Sequence, residues 1–125
     1  MAIALSRKTV DYILESDRKL DKSEQTIFKI KPLSAKQYAR IQDSMRFSRK
    51  DNGDSNIENL GTYTYEVLLY GLVGWENFKD ADSQEVKFNS KAVDESIDYL
   101  PIDVRYELAN AIMELSLLGG DKEKN

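Results

Sequence analysis

Gly71-Leu72-Val73-Gly74-Trp75-Glu76-Asn77-Phe78-Lys79-Asp80 is the stretch on which the reading of this chain turns. Ahead of it lies an apolar run at helical spacing, and Gly71 and Gly74 weaken that helix's final turn and let it stop. Behind it, Trp75 and Phe78 sit on one arm and Val86 and Phe88 on another, either side of Asp80-Ala81-Asp82-Ser83. Trp75 to Phe88 therefore reads as strand, turn, strand. A helix running into a hairpin points to the α+β class. Trp75 is the only tryptophan. It is a large amphipathic group at that junction, so it either pins the fold or anchors a partner.

Upstream, Ile57, Leu60, Tyr63, Val67 and Tyr70 form a helical face that Leu68, Leu69 and Leu72 widen, which makes this helix central to the core. Ser55 to Glu58 has the spacing of a capping box and is expected to open it. Ser48 to Asn56 is polar and holds the turn signal Asn52-Gly53. Before that, Ser34-Ala35-Lys36-Gln37 reads as another capping box, followed by Tyr38, Ile41 and Met45 on a helix expected to end near Phe47.

Thr26-Ile27-Phe28-Lys29-Ile30-Lys31 alternates apolar and basic residues and is the clearest strand; Pro32 ends it. Val10, Tyr12 and Leu14 fit either a short strand or a helical turn, and the charged run Asp17 to Glu24 reads as a solvated loop. Downstream, Asn89-Ser90 is placed to cap a short helix through Val93, Ile97 and Tyr99. Pro101 suits a first helical turn. It introduces a last helix bearing Val104, Leu108, Ile112, Leu115 and Leu118 on one face, with Gly119-Gly120 as its stop. The expected architecture is one α+β domain over residues 1–120, three to four helices on a short antiparallel sheet or hairpin, with a charged tail over 121–125 expected to be disordered.

Composition narrows the function. The chain of 125 residues has neither cysteine nor histidine, which removes disulfides, thiolate metal sites, Cys–His and Ser–His nucleophile pairs and the common neutral-pH general base. The formal charge is −4, and the densest basic stretch, Arg46 to Lys50, runs straight into Asp51 and Asp54. A protein partner is expected in preference to nucleic acid. No apolar run approaches the ~18–20 residues of a membrane span. Met1 to Leu5 is too short for the apolar region of a signal peptide, so a cytoplasmic product is expected.

Motifs that resemble chemistry have simpler readings. Asp51-Asn52-Gly53-Asp54-Ser55-Asn56 resembles a calcium loop, but a twelve-residue register starting at Asp51 puts Asn56 where glycine and Thr62 where glutamate belong. Asp80, Asp82 and Glu85 also lack the glycine and read as turn chemistry. The pairs Asp94/Asp98 and Asp103/Glu107 read as solvated helix faces. No catalytic, cofactor or metal site is expected. Of the aromatic group, Tyr63 and Tyr70 share a core face while Tyr65 falls off it. The candidate partner contacts are Tyr65, Trp75, Phe78, Leu117 and Leu118.

The order of features carries a resemblance over residues 17–125. Asp17 in a polar lead is followed by Glu24-Gln25-Thr26-Ile27-Phe28, Lys31-Pro32-Leu33-Ser34, the Gly71–Asp80 stretch, a turn with Glu85-Val86-Lys87-Phe88, Tyr99-Leu100-Pro101, a helix and a Lys124-Asn125 ending. This resembles small tailed-bacteriophage proteins of the structural and assembly modules, especially tail assembly chaperones. In such proteins a Gly-Trp segment often precedes an Asp-x-Asp-Gly turn; here Ser83 stands in place of the turn glycine. The resemblance implies a non-enzymatic protein, without a cofactor, that coats the helical tape measure protein in the host cytoplasm and assists tail-tube assembly. The alternative is a permanent virion component at the neck, head–tail connector, minor capsid or tail. Both imply association with phage structural proteins or with further copies.

Overall fold

The computed structural model describes residues 1–49, 53 and 55–118. After a leading segment without regular structure come β1 (Val10–Ile13), two short 3-10 turns, β2 (Ile27–Ile30) and α1 (Ala35–Ser44). Then follow β3 (Phe47–Arg49), β4 (Ser55–Ile57), α2 (Leu60–Gly71), β5 (Leu72–Glu76), α3 (Val93–Ile97) and α4 (Ile102–Leu118). The class is α+β: four helices with a small antiparallel sheet in the order β1-β2-β5 and a two-stranded β3–β4 ribbon.

Strand β2 is central because its alternation suits one buried and one open face. Tyr12↔Phe28 and Phe28↔Trp75 face the helices, while Asp11↔Lys29 and Lys29↔Gly74 face outward. On the open face Lys29 reaches Asp11 at 2.6 Å and Glu76 at 3.3 Å, bridging all three strands. The Asp11 hydrogen bond raises the Lys29 pKa above its ordinary value.

The Ser34 capping box forms with both bonds: Gln37 N donates to Ser34 Oγ at 3.2 Å, and Ser34 N to Gln37 Oε1 at 2.9 Å. α1 nevertheless ends at Ser44, and Phe47 opens β3 instead of closing the helix. The box expected at Ser55 does not form. Ser55 and Ile57 pair with Arg49 and Phe47, and α2 starts later, at Leu60. Its N-cap, Asn59, makes no side-chain cap because its amide is used elsewhere: Nδ2 donates to Ser44 O at 2.7 Å and Oδ1 accepts from Arg46 N at 2.9 Å. That side chain fastens the end of α1 to the start of α2. Leu60 and Leu69 are exposed, so the buried face of α2 is Thr64, Val67, Leu68 and Gly71.

α2 and α4 run parallel. Gly61, Thr64 and Tyr65 meet Ile102, Arg105 and Tyr106 around one depression, and further along Gly71 lies against Ile112. α2 does not fade out at its glycines but passes directly into β5, with Gly74 inside the strand. Asn89 does not cap α3; its Oδ1 closes a local turn onto Lys91 N, Ala92 is the N-cap, and Tyr99 is exposed. On α4, Leu108, Ile112 and Leu115 enter the core as their spacing predicts, Val104 packs at its edge, and Pro101 sits just before the helix, its carbonyl accepting from Arg105 N. The Asn52 turn signal, the Gly119-Gly120 stop and the 121–125 tail lie outside the described residues.

Candidate functional site

The strand, turn, strand expected over Trp75 to Phe88 forms only in part: Trp75 lies in β5 and pairs with β2, no strand covers residues 86–88, and the returning chain is held around Trp75 by single bonds. Val86 N donates to Phe78 O at 2.8 Å, Lys79 and Glu85 form a bridge, and Trp75 Nε1 donates to Val86 O at 2.7 Å. The Trp75 ring meets Phe78 and Phe88 edge-on, both at 4.9 Å, and Phe28 at 6.2 Å. At 8% exposure Trp75 is a core residue, with its one polar atom satisfied. Phe78 is half-buried against it and Phe28. The turn is closed by Asp80, whose Oδ1 accepts from Asp82 N and Gln84 N, and by Ser83 at φ +62°. Asp80 thus serves the turn, as its spacing suggests.

The remaining candidates lie on different parts of the molecule. Tyr65 is half-buried, and burial together with the Asp94 and Asp98 carboxylates pushes its phenol pKa up. Level with it on α4 is Tyr106; Leu117 lies eleven residues further, about 16 Å along the axis at 1.5 Å per residue. Leu117 is 65% exposed. The side chain of Leu118 lies outside the description. Of the four whose side chains are described, the structure brings Trp75 and Phe78 together, in the core, leaves Tyr65 half-buried and leaves Leu117 exposed.

Leu117 belongs to an apolar groove of about 310 Å³ between α1 and the end of α4, lined also by Leu5, Leu33, Tyr38, Ala39 and Ser116. Ser116 holds its floor: Oγ accepts from Leu33 N at 2.8 Å and donates to Ile112 O at 2.8 Å. The Leu33 bond ties the entry of α1 to α4. Sequence reasoning found Leu117 and missed the rest. A signal was present. Leu33 and Tyr38 are the N′ and N4 positions about the Ser34 cap, the pairing of a hydrophobic staple, and both line the groove.

A second, polar hollow of about 520 Å³ lies where β1 meets α4, walled by Tyr12, Glu15, Arg18, Glu107 and Glu114. Glu107 Oε2 accepts from Tyr12 Oη at 2.7 Å and Glu15 N at 2.9 Å, and Arg18 stands 5.5 Å from the Tyr12 ring centroid. Burial, then the Glu107 bond, raises the Tyr12 pKa well above its ordinary value. These groups satisfy one another and act as a fastening between sheet and helix. Among the described residues no group of three or more acidic side chains is disposed to hold a metal ion, and no helix is long and apolar enough to cross a membrane. Compared with family models, with curated proteins and with solved structures, the chain finds no match in any of the three.

Proposed function

We propose that this chain is a non-enzymatic tail assembly chaperone of a tailed bacteriophage, which binds apolar stretches of the helical tape measure protein in the host cytoplasm. The observation that carries the reading is the groove between α1 and α4, where Leu33, Tyr38 and the exposed Leu117 form an apolar channel of about 310 Å³ on a chain of charge −4. An amphipathic helix binds such a groove by laying a few side chains of its apolar face into it. Net charge meanwhile keeps the loaded complex dispersed. The motif order from Asp17 to Asn125 supplies the phage context.

The second reading is a permanent virion component. It is favoured by further exposed apolar side chains away from the groove, Phe47, Tyr99 and Ile102, which suit a subunit with several neighbours. Quantitative mass spectrometry of mature particles tests the first reading against the second. A chaperone is absent from particles and abundant in infected-cell lysate. A virion component is present at a fixed, symmetric copy number. In the chaperone case Leu117→Asp should weaken capture of the tape measure protein at least tenfold while leaving the melting temperature unchanged.

A further inference from the structure

The α1–α4 groove has walls of two kinds. Leu33 and Tyr38 are fixed at the start of α1 and Leu117 on α4, with Leu33 N bonded to Ser116 Oγ between them. Leu5 is held differently. It belongs to the first nine residues, an arm without regular structure whose one hydrogen bond among the described residues is internal, Lys8 N to Ser6 Oγ at 3.3 Å. Apart from the chain connection to β1, packing alone keeps Leu5 at the groove. That packing is partial. Leu5 is 38% exposed, whereas Ile3 of the same arm is 87% exposed and Met1 fully so. Leu5 is thus the large apolar side chain of the arm that has found a seat, and the seat is the groove.

We infer that the arm is an autoinhibitory strap on this groove, with Leu5 holding the place that an apolar side chain of an incoming helix takes; the inference rests on the reading of the groove as a helix-binding site. The chemistry of the arm suits the role. Met1 to Leu5 is apolar at every position, so the arm offers the groove what the apolar face of an amphipathic helix offers. Ser6 to Thr9 is polar at every position and leads into β1 at Val10, so the arm stays tethered beside the groove after release. A tethered segment competes at a high effective concentration even when its own contact is weak. It yields to a ligand that buries more apolar surface than Leu5 does, such as a helix with several anchors. A fixed wall and a movable competitor differ in sign: the wall adds to the ligand's contacts, and the competitor must leave before the ligand can enter.

The probe is a synthetic amphipathic helical peptide of leucine, alanine and glutamine, titrated calorimetrically into the full chain. Leu5→Ser should bind it about threefold to tenfold more tightly than the parent, because apparent affinity scales with the fraction of molecules whose groove is open. A second measurement leaves Leu5 in place and puts a dye on Ile3→Cys, a unique thiol in a chain without cysteine. The fluorescence anisotropy of that dye should fall as the peptide binds and the arm is released. Equal or weaker binding by Leu5→Ser makes Leu5 a bystander or a fixed wall and overturns the inference, while leaving the proposed function standing. Anisotropy that rises or stays level on binding overturns it likewise. If neither the parent nor Leu5→Ser binds the peptide, the inference and the reading it rests on fail together.

Discussion

Gly71 and Ile112 touch so closely that a methyl group on Gly71 would stand 2.5 Å from Ile112 Cγ2 and 2.8 Å from its Cδ1. Here the parallel helices α2 and α4 are in close contact, and Ile112 is wholly buried. Gly71→Ala is expected to cost about 1–3 kcal/mol through overpacking. In thermal melts this appears as a drop of about 4 °C per kcal/mol. Gly71→Ala combined with Ile112→Ala should cost less than the sum of the single changes, because the second substitution removes the atoms that clash.

Trp75 makes the next prediction. Trp75→Ala should cost about 3–5 kcal/mol, as for other buried large-to-small aromatic changes. Trp75→Phe keeps a ring against Phe28, Phe78 and Phe88 but removes the donor to Val86 O, so it should cost about 1–3 kcal/mol. Chemical denaturation of both variants checks this. If Trp75→Ala melted like the parent while losing a partner, Trp75 would be a contact and not part of the core.

Burial of Tyr12, and then its bond to Glu107, makes stability fall at alkaline pH. The phenol is held neutral in the fold, so its folded pKa exceeds the unfolded value of 10.0. Above pH 10 the unfolded chain loses the proton first. The stabilisation is therefore complete below pH 10 and declines as pH rises through the folded pKa. Tyr63 and Tyr65 are shifted in the same direction and add to the decline. Tyr12→Phe should cost about 1–2 kcal/mol at neutral pH and make the alkaline descent shallower. Denaturant midpoints between pH 8 and about 12 measure both effects.

Ser83 holds φ at +62°, a region that costs a residue with a Cβ about 1–2 kcal/mol. Ser83→Gly should relieve part of this and stabilise the hairpin by about 0.5–1 kcal/mol, and Ser83→Val should destabilise it by at least as much. Melting curves of the two variants should move in opposite directions.

The elements legible in the sequence are those decided by neighbouring residues. The Ser34–Gln37 box, strand β2 and the core face of α4 depend on spacing over a few positions, and the structure matches them. Ser55–Glu58 has the same spacing as the Ser34 box, yet its serine lies in a strand. The difference is tertiary: the ribbon pairing with Phe47–Arg49 and the double use of the Asn59 amide set the start of α2 at Leu60. The helical spacing of Tyr38, Ile41 and Met45 likewise continues toward Phe47, but the ribbon interrupts it after Ser44. The groove was the least legible feature. Its walls come from Leu5, the Leu33–Gln42 region and Ser116-Leu117, which no local pattern links. Tyr65 lies on α2 and Leu117 on α4, and they stand at different levels along α4, a separation that periodicity alone does not express.

The place of β2 in the sheet has a consequence for how the chain is made. Its pairing with β1 joins Ile27 to Ile13 and is available early. Its pairing with β5 joins Ile27 to Glu76 and must wait until α1, the ribbon and α2 have been synthesised. During that interval β2 of the nascent β1–β2 hairpin presents the bare edge that β5 will cover, and the uncovered ring of Phe28. Closing so long a loop slows folding, and the open edge invites pairing with other chains. The arrival of Trp75 at the ribosome exit therefore sets the moment at which the hairpin gains its third strand and its aromatic cover.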